Sequence, residues 1–273
     1  MNCGPRTRLR QGFGGQAAFV ALLCLLVPAV ASAQVLTSVW YRGMPAGTPR
    51  FVDLEDIRSQ GFTAVTWPLQ SVAGAEELQR MAARVGLRVV VRLEPVPVTF
   101  TRTTRDDNKV DVLVERTAPA EWTTLLWRSV AHGARVVSFD AGAVEGTGFR
   151  DSSGTLRDWV PVAAAVARQL NAHATLVSSL SSGPAVTLDP PDPDLDLTLL
   201  QNARSWVIIA TNASTTTGRA TDTTATFPSE GPAAEWLNLF DGSMMSMLYR
   251  STGSRWRVRL GPGEARVFVI DKR

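Results

Sequence analysis

Cysteine and histidine are scarce in this chain of 273 residues, which has two of each. Both cysteines, Cys3 and Cys24, lie within the first 33 residues. The chain beyond residue 33 therefore has no disulfide and no thiol nucleophile. His132 and His173, without thiolates, cannot form a zinc cluster of cysteine and histidine ligands. We predict neither a metal nor a cofactor.

Two sequence motifs that would indicate other enzyme classes are also missing. The chain contains no G-x-S-x-G motif, which argues against a serine hydrolase of that type. It contains no Walker phosphate-binding loop, and GPGE (261–264) has the pattern of a turn between strands. Nucleotide binding and serine-triad chemistry are therefore disfavoured.

The positive charge of the chain is concentrated at its start. The formal net charge is +3, and residues 1–33 carry three arginines and no acidic residue. The remainder is thus close to neutral, and the basic pI is no evidence for nucleic-acid binding. The arginines precede an apolar run and an Ala-Ser-Ala site, which predicts a secretory signal peptide over 1–33. We expect a secreted or periplasmic protein with no membrane attachment after cleavage, the alternative being an uncleaved anchor.

Strand and helix patterns alternate along the first half of the remaining chain. Strands are predicted over 35–43, 62–69, 87–95, 110–115 and 134–142, and helices over 53–61, 74–86, 120–133 and 158–171. This alternation is typical of a parallel α/β sheet. The proline- and aspartate-rich stretch 181–196 has the composition of a linker. Short strand patterns follow, with turn residues about every ten positions, which predicts an antiparallel β-sandwich over 197–273.

Three predicted strands each end in an acidic residue. Glu94, Glu115 and Asp140 would all lie at the carboxyl edge of a parallel sheet, where active sites gather. Glycoside hydrolysis uses two carboxylates, one as acid and one as nucleophile or base. Trp40 and Trp67 lie near the same edge and are candidates for stacking on sugar rings. The alternatives are that the acids pair with arginines and that the tryptophans fill the core.

One tryptophan-containing helix carries two basic residues on one stripe. Arg128 and His132 are four positions apart in LLWRSVAHGARVVSF, so they are neighbours on the helix surface. His132 falls at the predicted carboxyl end of that helix, where a donor can meet free carbonyl groups. We expect His132 to cap the helix.

The segment VDVLVERTAPAEW, followed by LLWRSVAHGARVVSF, resembles the end of the barrel in family 42 β-galactosidases and related clan A glycoside hydrolases. GFTAVTWPL is similar to an early barrel strand of those enzymes, and WVIIATNAS through LGPGEARVFVI is similar to the β-sandwich that follows many of them. The resemblance implies a shortened (β/α) TIM-type barrel over 34–180 followed by the sandwich. It also implies a carbohydrate-cleaving activity, β-galactosidase-like, with Glu115 at the nucleophile position.

The chain departs from that family in two respects. Residues 35–170 supply five predicted strands where a full barrel has eight, and no Asn-Glu pair exists to supply the acid/base glutamate. A proton donor would have to come from Glu94, Asp140 or Glu145, or be absent. The second hypothesis is thus an inactive relative that binds carbohydrate or protein, and a third is a product that folds poorly. An open sheet has two edges, which segment 96–110 or a second copy in a homodimer would cover.

Overall fold

A computed structural model gives the structure of most of the chain beyond residue 34. It describes residues 35–42, 50–68, 75–93, 95, 97, 108–142, 147–213, 220–227, 235–246, 248–250 and 253–272. Residues Ala33–Arg273 form one compact unit. The predicted signal peptide lies outside the described residues.

Five parallel strands in the described residues form the sheet that the sequence predicts for the first half of the chain. They are β1 (Leu36–Trp40), β2 (Ala64–Pro68), β3 (Arg88–Arg92), β4 (Lys109–Leu113) and β5 (Val136–Asp140). Their order is β3-β2-β1-β5-β4, and every neighbouring pair is parallel. The prediction of a parallel α/β sheet is confirmed.

Helices alternate with these strands, as predicted. They are α1 (Phe51–Ser59), α2 (Ala75–Arg84), α3 (Trp122–Ala131), α4 (Trp159–Ala172) and α5 (Ala174–Ser178), with a 3₁₀ turn at Pro119–Glu121 leading into α3. Pro119 suits that first turn because its fixed φ is helical and its missing N–H has no partner there. Leu78 and Ala82 of α2 are fully buried, which confirms the apolar stripe read from the sequence.

The two faces of the parallel sheet differ in chemistry. Val39, Val65 and Phe139 point to the face that packs against the helices and join one large apolar cluster. Ser38, Thr66 and Ser138 alternate with them and form a chain of hydroxyl contacts on the opposite face, at 2.7 and 3.1 Å. Both faces are buried, so the polar side chains of this alternation face other protein groups instead of solvent.

The parallel sheet is strongly curled around its polar face. Arg92, at the end of β3, donates a hydrogen bond of 2.7 Å to the carboxylate of Asp111 on β4, although these strands lie at opposite edges. Four strand spacings in a flat sheet would separate them by roughly 19 Å, too far for the two side chains to meet. Read around the curled sheet from β1, the strands follow chain order, as in a barrel, and the sheet is interrupted between β3 and β4. This arrangement is compatible with the predicted shortened barrel. In the described ranges, no further strand closes the gap between β3 and β4.

Within the ranges that the structure describes, ten further strands form two antiparallel sheets. The larger has the order β12 (Met244–Ser246), β11 (Glu235–Asn238), β15 (Ala265–Asp271), β9 (Ser205–Asn212), β8 (Leu195–Gln201), β6 (Ser181–Ser182). The smaller has the order β13 (Leu248–Arg250), β14 (Gly253–Val258), β10 (Thr223–Phe227), β7 (Thr187–Asp189). Side chains of both, such as Ile208 and Phe268 of the larger and Phe227 and Trp256 of the smaller, share one apolar cluster. The two antiparallel sheets are thus observed, and their description as a separate β-sandwich over 197–273 stays a prediction.

The segment 181–196, read from the sequence as a linker, contains strands. Both β6 and β7 lie within it, and β8 begins at Leu195. Strands of two or three residues carry no periodic pattern, so a composition rich in proline and aspartate conceals them. The segment thus contributes to both antiparallel sheets.

The larger antiparallel sheet also packs against helix α3. All eight residues of β9 are buried, and Val207 and Ile209 join the apolar cluster that contains Leu126 and Trp127 of α3. The Thr124 hydroxyl donates a hydrogen bond to the carbonyl of Gly263. The continuous apolar run in β9 thus reflects a strand covered on both faces.

Candidate active site

The carboxyl edge of the parallel sheet carries a buried aspartate held by an arginine. Asp140, the last residue of β5, is 2% exposed. Arg42, just beyond β1, donates to both carboxylate oxygens, with Nε 3.2 Å from Oδ1. The backbone N–H of Gly142 donates to the same Oδ1 at 3.0 Å. Asp140 is therefore a fixed group whose oxygens already accept three hydrogen bonds.

Arg42 is itself fixed from two sides. Its guanidinium lies over the Trp40 ring, 4.8 Å from the centroid, an arrangement in which a cation is attracted to the ring face. Tyr41 donates a hydrogen bond of 2.7 Å to Asp53 at the start of α1. Burial, followed by that hydrogen bond, raises the pKa of Tyr41 to about 12. The hydroxyl thus stays protonated and anchors the chain next to Arg42.

Glu115 lies beside this fixed pair and is exposed. Its carboxylate packs against Gly142, where a methyl group would lie 3.1 Å from Oε1. Gly142 has a φ of +78°, a conformation that glycine adopts without strain. Because Gly142 contacts both acids, the carboxylates of Glu115 and Asp140 lie within roughly 9 Å of each other. In the described part of the chain, the Glu115 carboxylate has no hydrogen-bond or ion-pair partner.

A cleft of about 270 Å³ opens at this edge. Its lining consists of Arg42, Pro95, Pro97, Leu113, Glu115, Arg116, Asp140 and Gly142. Two acidic and two basic residues face each other there, so the cleft is polar without a strong net charge. Hydroxyl-rich neutral ligands suit such a lining, because each hydroxyl can both donate and accept hydrogen bonds. We call this the rim cleft.

Two of the predicted rim acids cannot be placed. Glu94 and Glu145 lie outside the described residues. Pro95 and Pro97, on either side of residue 96, line the rim cleft, and Pro97 forms an isolated parallel bridge with Asp111 of β4. Pro97 thus lies beside the edge of β4. The role of Glu94 as proton donor stays a prediction.

The two tryptophans predicted to stack on sugars are buried. Trp40 is 1% exposed and donates its indole N–H to Asp111 at 2.7 Å. Trp67 is also 1% exposed and stacks on Tyr41 at a centroid distance of 5.6 Å, on the helix-facing side of the sheet. Neither ring presents a free face to a ligand in this structure, because one lies inside the curled sheet and the other in the apolar core. Their predicted sugar contacts have no structural support.

The sequence analysis allowed for arginine partners of the rim acids, and Asp140 has one, but it did not identify Asp111 as the partner of Arg92. Arg92 and Asp111 form a buried pair, with side chains 3% and 0% exposed, and Arg42 holds Asp140. The available signal was the position of the two arginines in the sequence. Arg92 ends β3 and Arg42 lies just past β1, at the same edge of the sheet as the acids. That signal is weak on its own because arginine is also common at exposed strand ends.

The pair Arg128 and His132 binds an acid from the antiparallel region. Asp196 of β8 forms an ion pair with Arg128 at 2.8 Å and lies within hydrogen-bond distance of His132, 2.5 Å from its Nε2. Burial alone would raise the pKa of Asp196, but the His132 hydrogen bond and the charges of His132 and Arg128 outweigh it and lower the pKa. His132 is the C-cap residue of α3, as expected, and its ring joins the helix to β8.

Another cleft in the described chain is larger than the rim cleft but has no acidic residue in its lining. It has a volume of about 630 Å³ and lies at the opposite end of β5. No group of three or more potential metal ligands occurs within the ranges that the structure describes. None of the helices in those ranges is long and apolar enough to cross a membrane. The chemistry of the rim cleft, rather than size, makes it the candidate active site.

Comparison with known proteins gives matches among solved structures only. No family model and no curated protein matches the chain. A GH30 endoxylanase from Clostridium papyrosolvens C71 matches over 88% of this chain and 97% of its own, at 9% identity and a TM-score of 0.41. A γ-CGTase from Alkalophilic bacillus clarkii matches over 88% of this chain and 70% of its own, at 10% identity and a TM-score of 0.44. The α-fucosidase of Thermotoga maritima matches over 80% of this chain and 55% of its own, at 11% identity and a TM-score of 0.38.

These neighbours are glycoside hydrolases and a related enzyme acting on carbohydrate. None of the three is a family 42 β-galactosidase. Because their TM-scores lie below 0.5 and their identities are near one in ten, the matches establish neither a family nor an activity for this chain.

Proposed function

We propose that the protein acts on a carbohydrate at the rim cleft, as a glycoside hydrolase-like protein with Glu115 as its reactive carboxylate. The observation that carries the proposal is the geometry of Glu115, an exposed and unpartnered carboxylate in the described rim, held against Gly142 beside the fixed Asp140. A nucleophile or base must reach the substrate and must not be engaged by a counter-ion. Glu115 meets both conditions and Asp140 meets neither.

Asp140 and Arg42 have a positioning role in this proposal. Asp140 already accepts three hydrogen bonds, so it is badly placed to carry and donate a proton. The side chain of Arg42 is 30% exposed and lines the cleft, so its remaining N–H groups can donate to a sugar hydroxyl. Hydrolysis then needs a separate proton donor, for which Glu94 is our proposal. A distance of about 5–5.5 Å between the Glu94 and Glu115 carboxyl groups would indicate retention of the anomeric configuration, and a distance of about 6.5–9.5 Å would indicate inversion.

A second candidate function is carbohydrate binding without hydrolysis. The described rim provides one open carboxylate, since the other acid there is bound to Arg42. One carboxylate and two arginines can orient hydroxyl groups but cannot supply both proton transfers of glycoside cleavage.

The test compares hydrolysis and binding in four proteins: the unaltered chain, Glu115→Gln, Glu94→Gln and the control Glu55→Gln. Glu55 is an exposed acid on α1. Hydrolysis is measured on a panel of aryl glycosides, with β-galactosides included because of the sequence resemblance, and binding by affinity electrophoresis in polysaccharide gels. We expect hydrolysis that Glu115→Gln and Glu94→Gln abolish and Glu55→Gln retains.

Two other outcomes are informative. Binding without hydrolysis, weakened by Glu115→Gln, would select the second candidate. Absence of both activities, or equal activity in Glu115→Gln and the unaltered protein, would overturn the proposal.

Export is also proposed, on the strength of the arginines, the apolar run and the Ala-Ser-Ala site in 1–33. Cell fractionation with amino-terminal sequencing of the recovered protein tests it. Cleavage after residue 33 is expected, and retention of the full chain in the cytoplasm would contradict it. A homodimer stays a prediction, tested by the elution volume of the exported protein in gel filtration.

A further inference from the structure

The larger cleft lies far along β5 from the rim cleft and has a different lining. Its volume is about 630 Å³, and it is formed by the end of α3, helix α5 and strands β6 and β8. The lining residues are Val130, Ala131, His132, Gly133, Arg135, Val177, Leu180, Ser181, Ser182, Thr198 and Leu200. Pockets that bind small molecules usually have volumes of about 300–1,000 Å³. The cleft is therefore large enough for a small organic ligand.

The walls of this cleft are apolar on one side and carry donors on the other. Val130, Val177, Leu180 and Leu200 supply aliphatic surface, while the lining contains no aspartate or glutamate. The Ser181 hydroxyl donates to a backbone carbonyl and the Thr198 hydroxyl to Asp196. An apolar wall in a lining that contains Arg135 and no acidic residue is complementary to an amphipathic anion.

Among the described residues that line this cleft, Arg135 is a charged group without an ion-pair partner. Its Nη1 donates to the carbonyl of Ala134 at 3.0 Å, and it makes no ion pair with any described carboxylate. The residue is half-buried, and burial lowers the pKa of its guanidinium. A cation that has lost part of its hydration gains from an anion placed against it.

The neighbouring cations differ from Arg135 in this respect. Arg128 and His132 both bind Asp196, so each already has an acidic partner within the protein. Ser182, on the exposed edge strand β6, has a hydroxyl with no hydrogen-bond partner among the described residues. The remaining N–H groups of Arg135 and the Ser182 hydroxyl are thus the donors that a ligand could use. A guanidinium fork fits a carboxylate with two parallel hydrogen bonds.

We propose that this cleft binds a small organic carboxylate with an apolar body, whose carboxylate pairs with Arg135 and whose body lies on the aliphatic wall. The site is independent of the rim cleft and of the chemistry at Glu115. Octanoate is a suitable probe because it combines one carboxylate with an aliphatic chain. Octanol and inorganic phosphate are matched probes that lack the charge and the chain, respectively.

The experiment is titration calorimetry of the unaltered protein with octanoate, octanol and inorganic phosphate at constant ionic strength. We expect octanoate to bind at least tenfold more tightly than either of the other two. Octanoate binding that does not saturate by 10 mM, or equal affinity for octanol or phosphate, would overturn the proposal. This comparison needs no variant, so it holds even if a substitution in the cleft prevents folding.

Two variants assign the binding to Arg135. Arg135→Met keeps a long apolar side chain and removes the charge, and it is expected to weaken octanoate binding at least tenfold. Arg58→Met is the matched control, since Arg58 is exposed on α1 and does not line the cleft. Circular dichroism confirms that each variant is folded. Unchanged octanoate affinity in a folded Arg135→Met protein would show that the ligand does not use this arginine.

Discussion

Asp111 and Asp140 are buried aspartates on neighbouring strands and the same face of the parallel sheet, and each binds an arginine. Asp111 is fully buried and its partner Arg92 is 3% exposed, whereas the partner of Asp140, Arg42, is 30% exposed. In the sheet register, Asp111 pairs with Ser138, two residues before Asp140. A shift of two residues along the strand direction therefore separates a fully buried ion pair from an ion pair that lines a cleft, next to an exposed glutamate.

How deeply each ion pair is buried determines whether it acts in stability or is open to a ligand. A buried ion pair contributes little net stability, but removing one partner leaves a charge in a low-dielectric interior. A pair at the rim keeps part of its hydration and can exchange contacts with a ligand. The inner pair is thus structural, while the outer pair is available for function.

The largest effect is expected from breaking the inner pair. Arg92→Leu should lower the free energy of unfolding by about 3–5 kcal/mol, because it leaves the Asp111 carboxylate buried without its cation. Urea denaturation measures the change. The double variant Arg92→Leu/Asp111→Leu should recover most of the loss, and a double variant as unstable as the single one would contradict this account.

A smaller effect is expected at the rim pair. Arg42→Ala should lower the free energy of unfolding by about 1–3 kcal/mol, because Asp140 keeps the Gly142 hydrogen bond and water can reach the vacated space. Carbohydrate binding should fall at the same time, since Arg42 lines the cleft. Both are measured on one preparation, by urea denaturation and affinity electrophoresis. A loss as large as that of Arg92→Leu would remove the distinction between the two pairs.

A third prediction concerns acid stability away from the sheet interior. The pKa of Asp196 is lowered in the folded protein, so its contribution to stability is present above the pKa of the unfolded chain and lost as the pH falls through the folded value. Asp196→Asn should therefore destabilise the protein at neutral pH and make stability less sensitive to acid. Thermal unfolding from pH 7 to pH 3 measures this, and parallel curves for the two proteins would disprove it.

The smallest stability effect is expected at Glu115. Glu115→Gln should change the free energy of unfolding by no more than about 0.5 kcal/mol, because the side chain is exposed and unpartnered in the described rim. Its effect on carbohydrate hydrolysis should nevertheless be the largest of the four. A marked loss of stability would instead assign Glu115 a structural role.

Much of the fold could be predicted because its signals are local. The apolar stripe of α2 identifies a helix, and the alternation of strands and helices identifies the parallel sheet. β6 and β7 could not be predicted, since strands of two and three residues form only through pairing with β8 and β10. The sequence could not decide between sugar stacking and core packing for Trp40 and Trp67, because a position near a strand end does not reveal which face the side chain occupies, or how far the sheet curls.

The sequence by itself determined that Glu115 and Asp140 end up at one edge of a parallel sheet, because strand direction follows from the order of strands and helices along the chain. Only the tertiary structure decided that Asp140 is held by Arg42 while Glu115 stays open. It also decided that Arg128 and His132 meet Asp196, a residue read from the sequence as part of a linker. Ion pairs of this kind join residues 64 to 98 positions apart, and such contacts depend on how separate elements pack rather than on any pattern within one of them.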